Sequence, residues 1–222
     1  MSRTWLLGLL ASSFLVASGP HAMAESPDDY GLDALSREIP AKGKVKCPKV
    51  PLVRYGGAVI RYHKPVRVYT GFKTRLQRFE ETVREVAIEV YGRSPSRIRH
   101  IGTYNCRRIG GYPNLVSEHG LGNGIDIAGF DFASAKKPLP MGVAKRLSRR
   151  FKVRVKSHWR APETGALRRD VDADTLHAVF LRRLTDRLLT REDVFRVLLG
   201  PAFPGHKDHF HFDMAPYRLV VL

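Results

Sequence analysis

Apolar residues along the chain fall into short runs with clear periods. The strongest covers residues 74–91, where Leu76, Phe79, Val83, Val86, Ala87 and Val90 recur at three- and four-residue steps. That spacing places them on one stripe of an amphipathic helix. Thr74 suits its N-cap, with Gln77 three residues on, and Gly92 supplies the stop. A second helix is predicted over residues 174–189, with Leu176, Val179, Phe180, Leu184 and Leu188 inward. Residues 141–150 read as a short basic helix. Residues 50–70 alternate loosely and are rich in β-branched side chains, which favours short strands. Further strands are predicted at 98–104, 125–130, 194–199 and 209–214, with Gly200-Pro201 closing the third of these. Helices and strands mix without regular alternation, so the predicted class is α+β, with a mostly antiparallel central sheet and flanking helices.

The N-terminus has a different pattern. Arg3 precedes an apolar run over residues 5–16, and Ala22-Met23-Ala24 is a small-x-small cleavage site. Residues 1–24 therefore read as a signal peptide. An uncleaved anchor is the alternative, but the run is short for a span and ends in Gly19-Pro20. Residues 25–46, polar and carrying Pro27, Pro40 and Gly43, read as a flexible leader, and 47–222 as the domain. No later stretch is long and apolar enough to span a bilayer. The chain is thus expected to be exported to the periplasm, with no transmembrane span in its mature part.

Export changes the meaning of composition. At 43% hydrophobic and 27% charged residues, the chain has the balance of a globular protein. Its two cysteines, Cys47 and Cys106, form an even set in an oxidising compartment and predict one disulfide, two buried thiols being the alternative. Two cysteines cannot make a four-cysteine zinc site, so any metal must use His and carboxylates. The formal charge is +17, and removing Arg3 leaves +16. Residues 136–191 hold 16 Lys/Arg against 5 Asp/Glu, a net +11. This stretch is either a solvated surface or a contact for an anionic envelope. Nucleic acid is not the expected partner of an exported chain.

Two segments carry candidate chemistry. In residues 206–213, strand alternation puts His209, His211 and Asp213 on one face and Phe210 and Phe212 on the other. In Ser117-Glu118-His119-Gly120-Leu121-Gly122-Asn123-Gly124-Ile125-Asp126, a glycine-rich turn can return Asp126 beside His119. Together they offer two histidines and an aspartate, which leaves one position of a tetrahedral zinc ion open for water. Asp213 can orient a ligand histidine. His63, His100, His158 and His177 read as ordinary surface or core residues, and Asp131 and Asp172 as solvated.

The order Thr103-Tyr104-Asn105-Cys106-Arg107, then residues 117–130, then Val197-Leu198-Leu199-Gly200-Pro201 and residues 206–213, resembles the extensin-like C-terminal domain family of exported bacterial proteins. The likeness covers roughly residues 47–215. The Ser-x-His-x-x-Gly-x-x-x-Asp and His-x-His patterns are also similar to the zinc D,D-peptidases and murein endopeptidases of bacterial cell walls. That likeness implies the zinc D,D-peptidase (LAS/hedgehog-like) fold and a zinc cofactor, with His119, Asp126 and His211 as ligands. It implies His209 as the histidine acting beside the metal, with Asp208 as a rival base. Arg107 is the implied holder of the oxyanion or substrate carboxylate, His206 a further site histidine, and Ser117 a polar neighbour of the site. A second cysteine pair usual in relatives is missing here, where Thr190, Arg191 and Glu192 stand. The expected activity is hydrolysis of peptidoglycan peptides beside a D-amino acid, endopeptidase before carboxypeptidase. The rivals are a non-catalytic zinc-containing module that binds cell wall or a partner, and, more remotely, a basic secreted nuclease.

Overall fold

The computed structural model describes residues 30–160 and 172–222. The expected signal peptide and cleavage site, and residues 161–171 of the basic stretch, lie outside the described residues.

Two short strands, β1 (Leu52–Tyr55) and β2 (Val66–Tyr69), pair antiparallel and feed directly into helix α1 (Thr70–Tyr91). Its predicted stripe is the buried one, with Phe72 added at the start. The helix begins four residues before the expected cap. Tyr69 stands at the N-cap with no side-chain hydrogen bond, because the Thr70 N–H is already held by the Pro51 carbonyl at 3.1 Å. Gly92 ends the helix at φ 70°, as its lack of a β-carbon allows.

The main sheet contains β3 (Arg97–Gly102), β6 (Gly124–Phe132), β7 (Phe151–Arg154), β8 (Val197–Leu199), β9 (Phe210–Asp213) and β10 (Leu219–Val221). Its order is β10-β8-β9-β6-β3, and β7 lies against the far half of β6. Every pairing is antiparallel except β10 with β8. A separate hairpin, β4 (Arg108–Ile109) with β5 (Tyr112–Val116), precedes the site. The architecture is α+β with a mixed, largely antiparallel sheet.

Helix α1 packs against α3 (Ala173–Leu189), whose Phe180, Leu181, Leu184 and Leu188 are fully buried, while Leu176 and Val179 are only half-buried. Asp172 is not merely solvated: its Oδ1 accepts the N–H groups of Asp174 at 2.7 Å and Thr175 at 3.1 Å, capping α3. The basic helix expected over 141–150 reduces to one 3-10 turn, Lys145–Ser148, after which the chain passes through β7 into a single helical turn, α2 (Val155–His158). Gly142 and the crowding of Lys145, Arg146, Arg149 and Arg150 oppose a longer helix. Asp131, also read as solvated, instead joins three strands. Its carboxylate meets Arg99 of β3 at 2.7 Å and Arg154 of β7 at 2.6 Å.

The leader reading fails for residues 30–46. Tyr30 and Leu32 are buried in the main core. Asp33 pairs with Arg196 at 2.6 Å, Arg37 with Glu118 at 2.8 Å, and Glu38 bridges to Leu115 of β5. Polar composition had masked a segment whose few apolar residues are anchors. The Cys47–Cys106 disulfide is present and ties the end of this segment to the loop before the hairpin.

Candidate metal centre

The site forms where β6 and β9 run side by side. Their register sets Asp126 opposite His211 and Ile127 opposite Phe210. Directly opposed residues share a face, with β-carbons about 5 Å apart. Phe210 and Phe212 fill the core with no exposure, so the alternating positions turn to the other face. His119 arrives from a 3-10 turn, Glu118–Leu121, placed immediately before β6. Ser117 caps that turn, its Oγ accepting the His119 N–H at 3.3 Å. Gly122 then reverses the chain at φ 64°. A β-carbon there would lie 2.6 Å from Leu52 Cδ2 and 2.9 Å from the Tyr69 nitrogen, so the turn accepts only glycine.

Three atoms converge. His119 Nε2 lies 3.2 Å from Asp126 Oδ1 and 3.1 Å from His211 Nδ1, and His211 Nδ1 lies 2.9 Å from Asp126 Oδ1. Each ring is fixed by its other nitrogen. The Nδ1–H of His119 donates to the Thr103 carbonyl at 2.5 Å, and the Nε2–H of His211 donates to Asp213 Oδ2 at 2.7 Å. Both inward nitrogens therefore present lone pairs to each other and to a carboxylate oxygen. Such a set needs a cation or a proton at its middle. Without metal a proton takes that place. Burial opposes charge on His211, but the hydrogen bonds and charges of Asp126 and Asp213 outweigh it and raise its pKa to about 9. Burial likewise opposes charge on Asp126, yet its contacts with the His119 and His211 rings hold its carboxyl well below the usual range.

The donor set fits zinc. Bonds of about 2.0–2.1 Å at tetrahedral angles put ligand atoms about 3.3 Å apart. The three observed separations, 2.9 to 3.2 Å, are within a few tenths of an ångström of that. Two imidazoles and a carboxylate, each ring oriented by a further acceptor, are a set that could hold zinc with one position left open.

A family model, extensin-like protein C-terminus, matches residues 28–220. The chain belongs to the extensin-like C-terminus family. No curated protein and no solved structure matches it. The match begins before residue 30, in keeping with the packed segment that the sequence reading had set outside the domain.

In this extensin-like domain the remaining expected site residues separate into two groups. His209 and His206 lie beside the convergent atoms. His209 Nε2 is 3.8 Å from Asp126 Oδ1, and its Nδ1 is 2.8 Å from Asp208 Oδ1. The His206 ring lies 4.9 Å from that of His209 and 5.8 Å from that of His211, with its Nδ1–H donating to the Pro204 carbonyl at 3.0 Å. Asp208 is held below its usual pKa by its hydrogen bond with His209 and points its carboxylate to that ring. Ser117 and Arg107 are not brought to the centre. Ser117 is buried as the turn's cap. Arg107 is exposed, and among the described residues its guanidinium bonds only to the Arg108 carbonyl, at 3.3 Å.

Sequence reasoning missed Glu118 and Asn123. Asn123 is fully buried; Tyr30 Oη donates to its Oδ1, and its Nδ2 donates to Glu118 Oε2 and to the Met214 carbonyl. Burial raises the Glu118 pKa, against the opposing bonds from Arg37 and Asn123. These residues bind the His119 turn to the N-terminal segment and to the end of β9. Their adjacency to His119 in sequence was the available signal.

Proposed function

We propose that the protein is an exported zinc-dependent peptidoglycan peptidase that hydrolyses peptide cross-links beside a D-amino acid, acting as an endopeptidase in preference to a carboxypeptidase. The observation that carries this reading is the convergence of His119 Nε2, Asp126 Oδ1 and His211 Nδ1 within 3.2 Å of one another, with His209 alongside. The likeness of its motifs to the zinc D,D-peptidases supports it, as does the signal-peptide pattern. Among the described residues no helix is long and apolar enough to cross a membrane.

His119, Asp126 and His211 would hold the zinc ion, which supplies a Lewis acid for the amide carbonyl and an activated water. His209 is the proton carrier. Asp208 accepts its Nδ1–H, which leaves Nε2 to take a proton from the attacking water and return it to the leaving amine. Asp213 and the Thr103 carbonyl hold the ligand rings and fix which nitrogen faces inward. The basic stretch of residues 136–191 is the surface we assign to the anionic envelope.

One observation favours a second reading. Arg107, the expected oxyanion donor, is exposed, and among the described residues its guanidinium bonds to its neighbour's carbonyl. This is the arrangement expected of a non-catalytic zinc-containing module that binds cell wall or a partner.

Mass spectrometry of cross-linked muropeptides separates the two. Incubation with the zinc-loaded protein should convert dimers to monomers, and both a chelator and His211→Ala should abolish the conversion. Intact dimers after incubation with protein shown to contain zinc would replace the peptidase with the binding module.

A further inference from the structure

A second group of metal-capable donors lies away from the first. His158, Asp174 and His177 each offer one atom, all within 4.8 Å of one another. His158 closes α2, and Asp174 and His177 begin α3. Residues three apart on a helix share a face, and an acid-x-x-His pair is a spacing by which one helix supplies two ligands. A histidine from a neighbouring element completes the set, as in the first centre.

The two rings are already oriented. His177 Nδ1 lies 2.9 Å from Tyr91 Oη, and that hydroxyl lies 3.2 Å from the Leu176 carbonyl. His158 Nδ1 lies 2.9 Å from the Arg154 nitrogen, whose N–H it accepts, and 3.1 Å from the Arg154 carbonyl. The Tyr91 hydroxyl, donating to the Leu176 carbonyl, can accept an Nδ1–H from His177, which leaves that ring's Nε2 as the lone-pair nitrogen; His158 presents Nε2 in the same way once its Nδ1–H donates to the Arg154 carbonyl in place of accepting the Arg154 N–H. Neither Nε2 has a hydrogen-bond partner among the described residues. The His177 ring is buried, stacked on Phe151 at 5.2 Å and 16°, and the His158 ring packs edge-on against it at 4.8 Å.

We propose that His158, Asp174 and His177 bind a second divalent transition-metal ion of the zinc class, which staples α2 to the first turn of α3. Two imidazole nitrogens and a carboxylate oxygen are a donor set that zinc takes, with water in the fourth position. Arg146 Nη2, 3.8 Å from Asp174 Oδ1 and 62% exposed, is the cation the ion would displace.

The test is metal stoichiometry in the chain from residue 25, stripped of metal and re-equilibrated with Zn2+, then freed of excess by gel filtration and measured by plasma mass spectrometry. Co2+ absorption serves as an independent probe of site geometry. The intact protein should hold two equivalents. Asp174→Asn and His158→Ala, both at surface-accessible positions, should each retain one, as should His211→Ala. The double variant His211→Ala/Asp174→Asn should hold none. A single equivalent that survives both Asp174→Asn and His158→Ala would overturn the second site and leave the first intact. A single equivalent lost with Asp174→Asn and kept with His211→Ala would establish the second site and remove the zinc centre from the proposed peptidase.

Discussion

The donor triangle depends on residues that do not themselves belong to it. Asp213 takes the outer N–H of His211, and so decides that Nδ1, rather than Nε2, faces Asp126. Asp213→Asn keeps the shape but weakens that acceptor. Loss of such an outer partner typically costs 10- to 100-fold in metal affinity. Zinc competition against a chromophoric chelator should show a loss of about that size, with the far-ultraviolet spectrum unchanged. Unaltered affinity would show that the tautomer is fixed elsewhere. At this scale much was readable in the sequence. The alternation of His209, His211 and Asp213 with Phe210 and Phe212 follows from the geometry of any strand, and the structure buries the two phenylalanines as that requires. The Thr103 carbonyl was not readable, because a backbone acceptor leaves no mark in side-chain identity. Nor was the exposure of Arg107, which depends on the path of the β4–β5 hairpin rather than on local pattern.

Between elements, two features place the site. The first is the turn from the 3-10 helix into β6. Gly122→Ala would put a β-carbon 2.6 Å from Leu52 Cδ2 in a left-handed backbone that side chains resist. We expect a loss of about 2 kcal/mol in urea unfolding and weaker zinc binding together, because the same turn carries His119. The second is the clasp of Asp131 between Arg99 and Arg154, which joins β3, β6 and β7. Burial opposes the Asp131 charge, but the two arginines more than offset it and hold its pKa below the ordinary value. A depressed folded pKa stabilises at pH above the unfolded value, about 3.9, and the contribution fades as pH falls through the folded value. Asp131→Asn should therefore cost about 2 kcal/mol near neutrality. The gap from the parent protein should close as pH falls through the folded value. A gap unchanged by pH would mean that shape, not charge, holds the strands. The helices were legible because α1 and α3 carry their period over many residues. The clasp was not, since it requires the β3–β6 register, which includes a bulge between Arg99 and His100 that no local pattern announces.

For the whole molecule, the domain boundary matters most. A polar stretch of about twenty residues ahead of the first strand reads as leader, because composition averages over a few apolar anchors. Tyr30 and Leu32 are 3% exposed, and fully burying side chains of this kind stabilises by about 2 kcal/mol each. Arg37 and Asp33 add ion pairs to the turn before β6 and to Arg196 just ahead of β8. The disulfide, closing a separation of 59 residues, adds up to about 4 kcal/mol by restricting the unfolded chain. Starting the protein at residue 47 keeps Cys47 and every proposed ligand, yet removes Tyr30 from Asn123 and Arg37 from Glu118. Glu118, already resisting charge through burial, would lose its counter-ion inside the core. The shortened chain should therefore melt well below the chain from residue 25 and bind zinc more weakly, because the disturbed residues flank His119. Differential scanning calorimetry, with hydrogen exchange read at residues 117–126, would locate the damage. Native melting with normal exchange at that turn would restore residues 30–46 to the status of an accessory leader, and would require His119 to be held by the disulfide and the β5 hairpin alone.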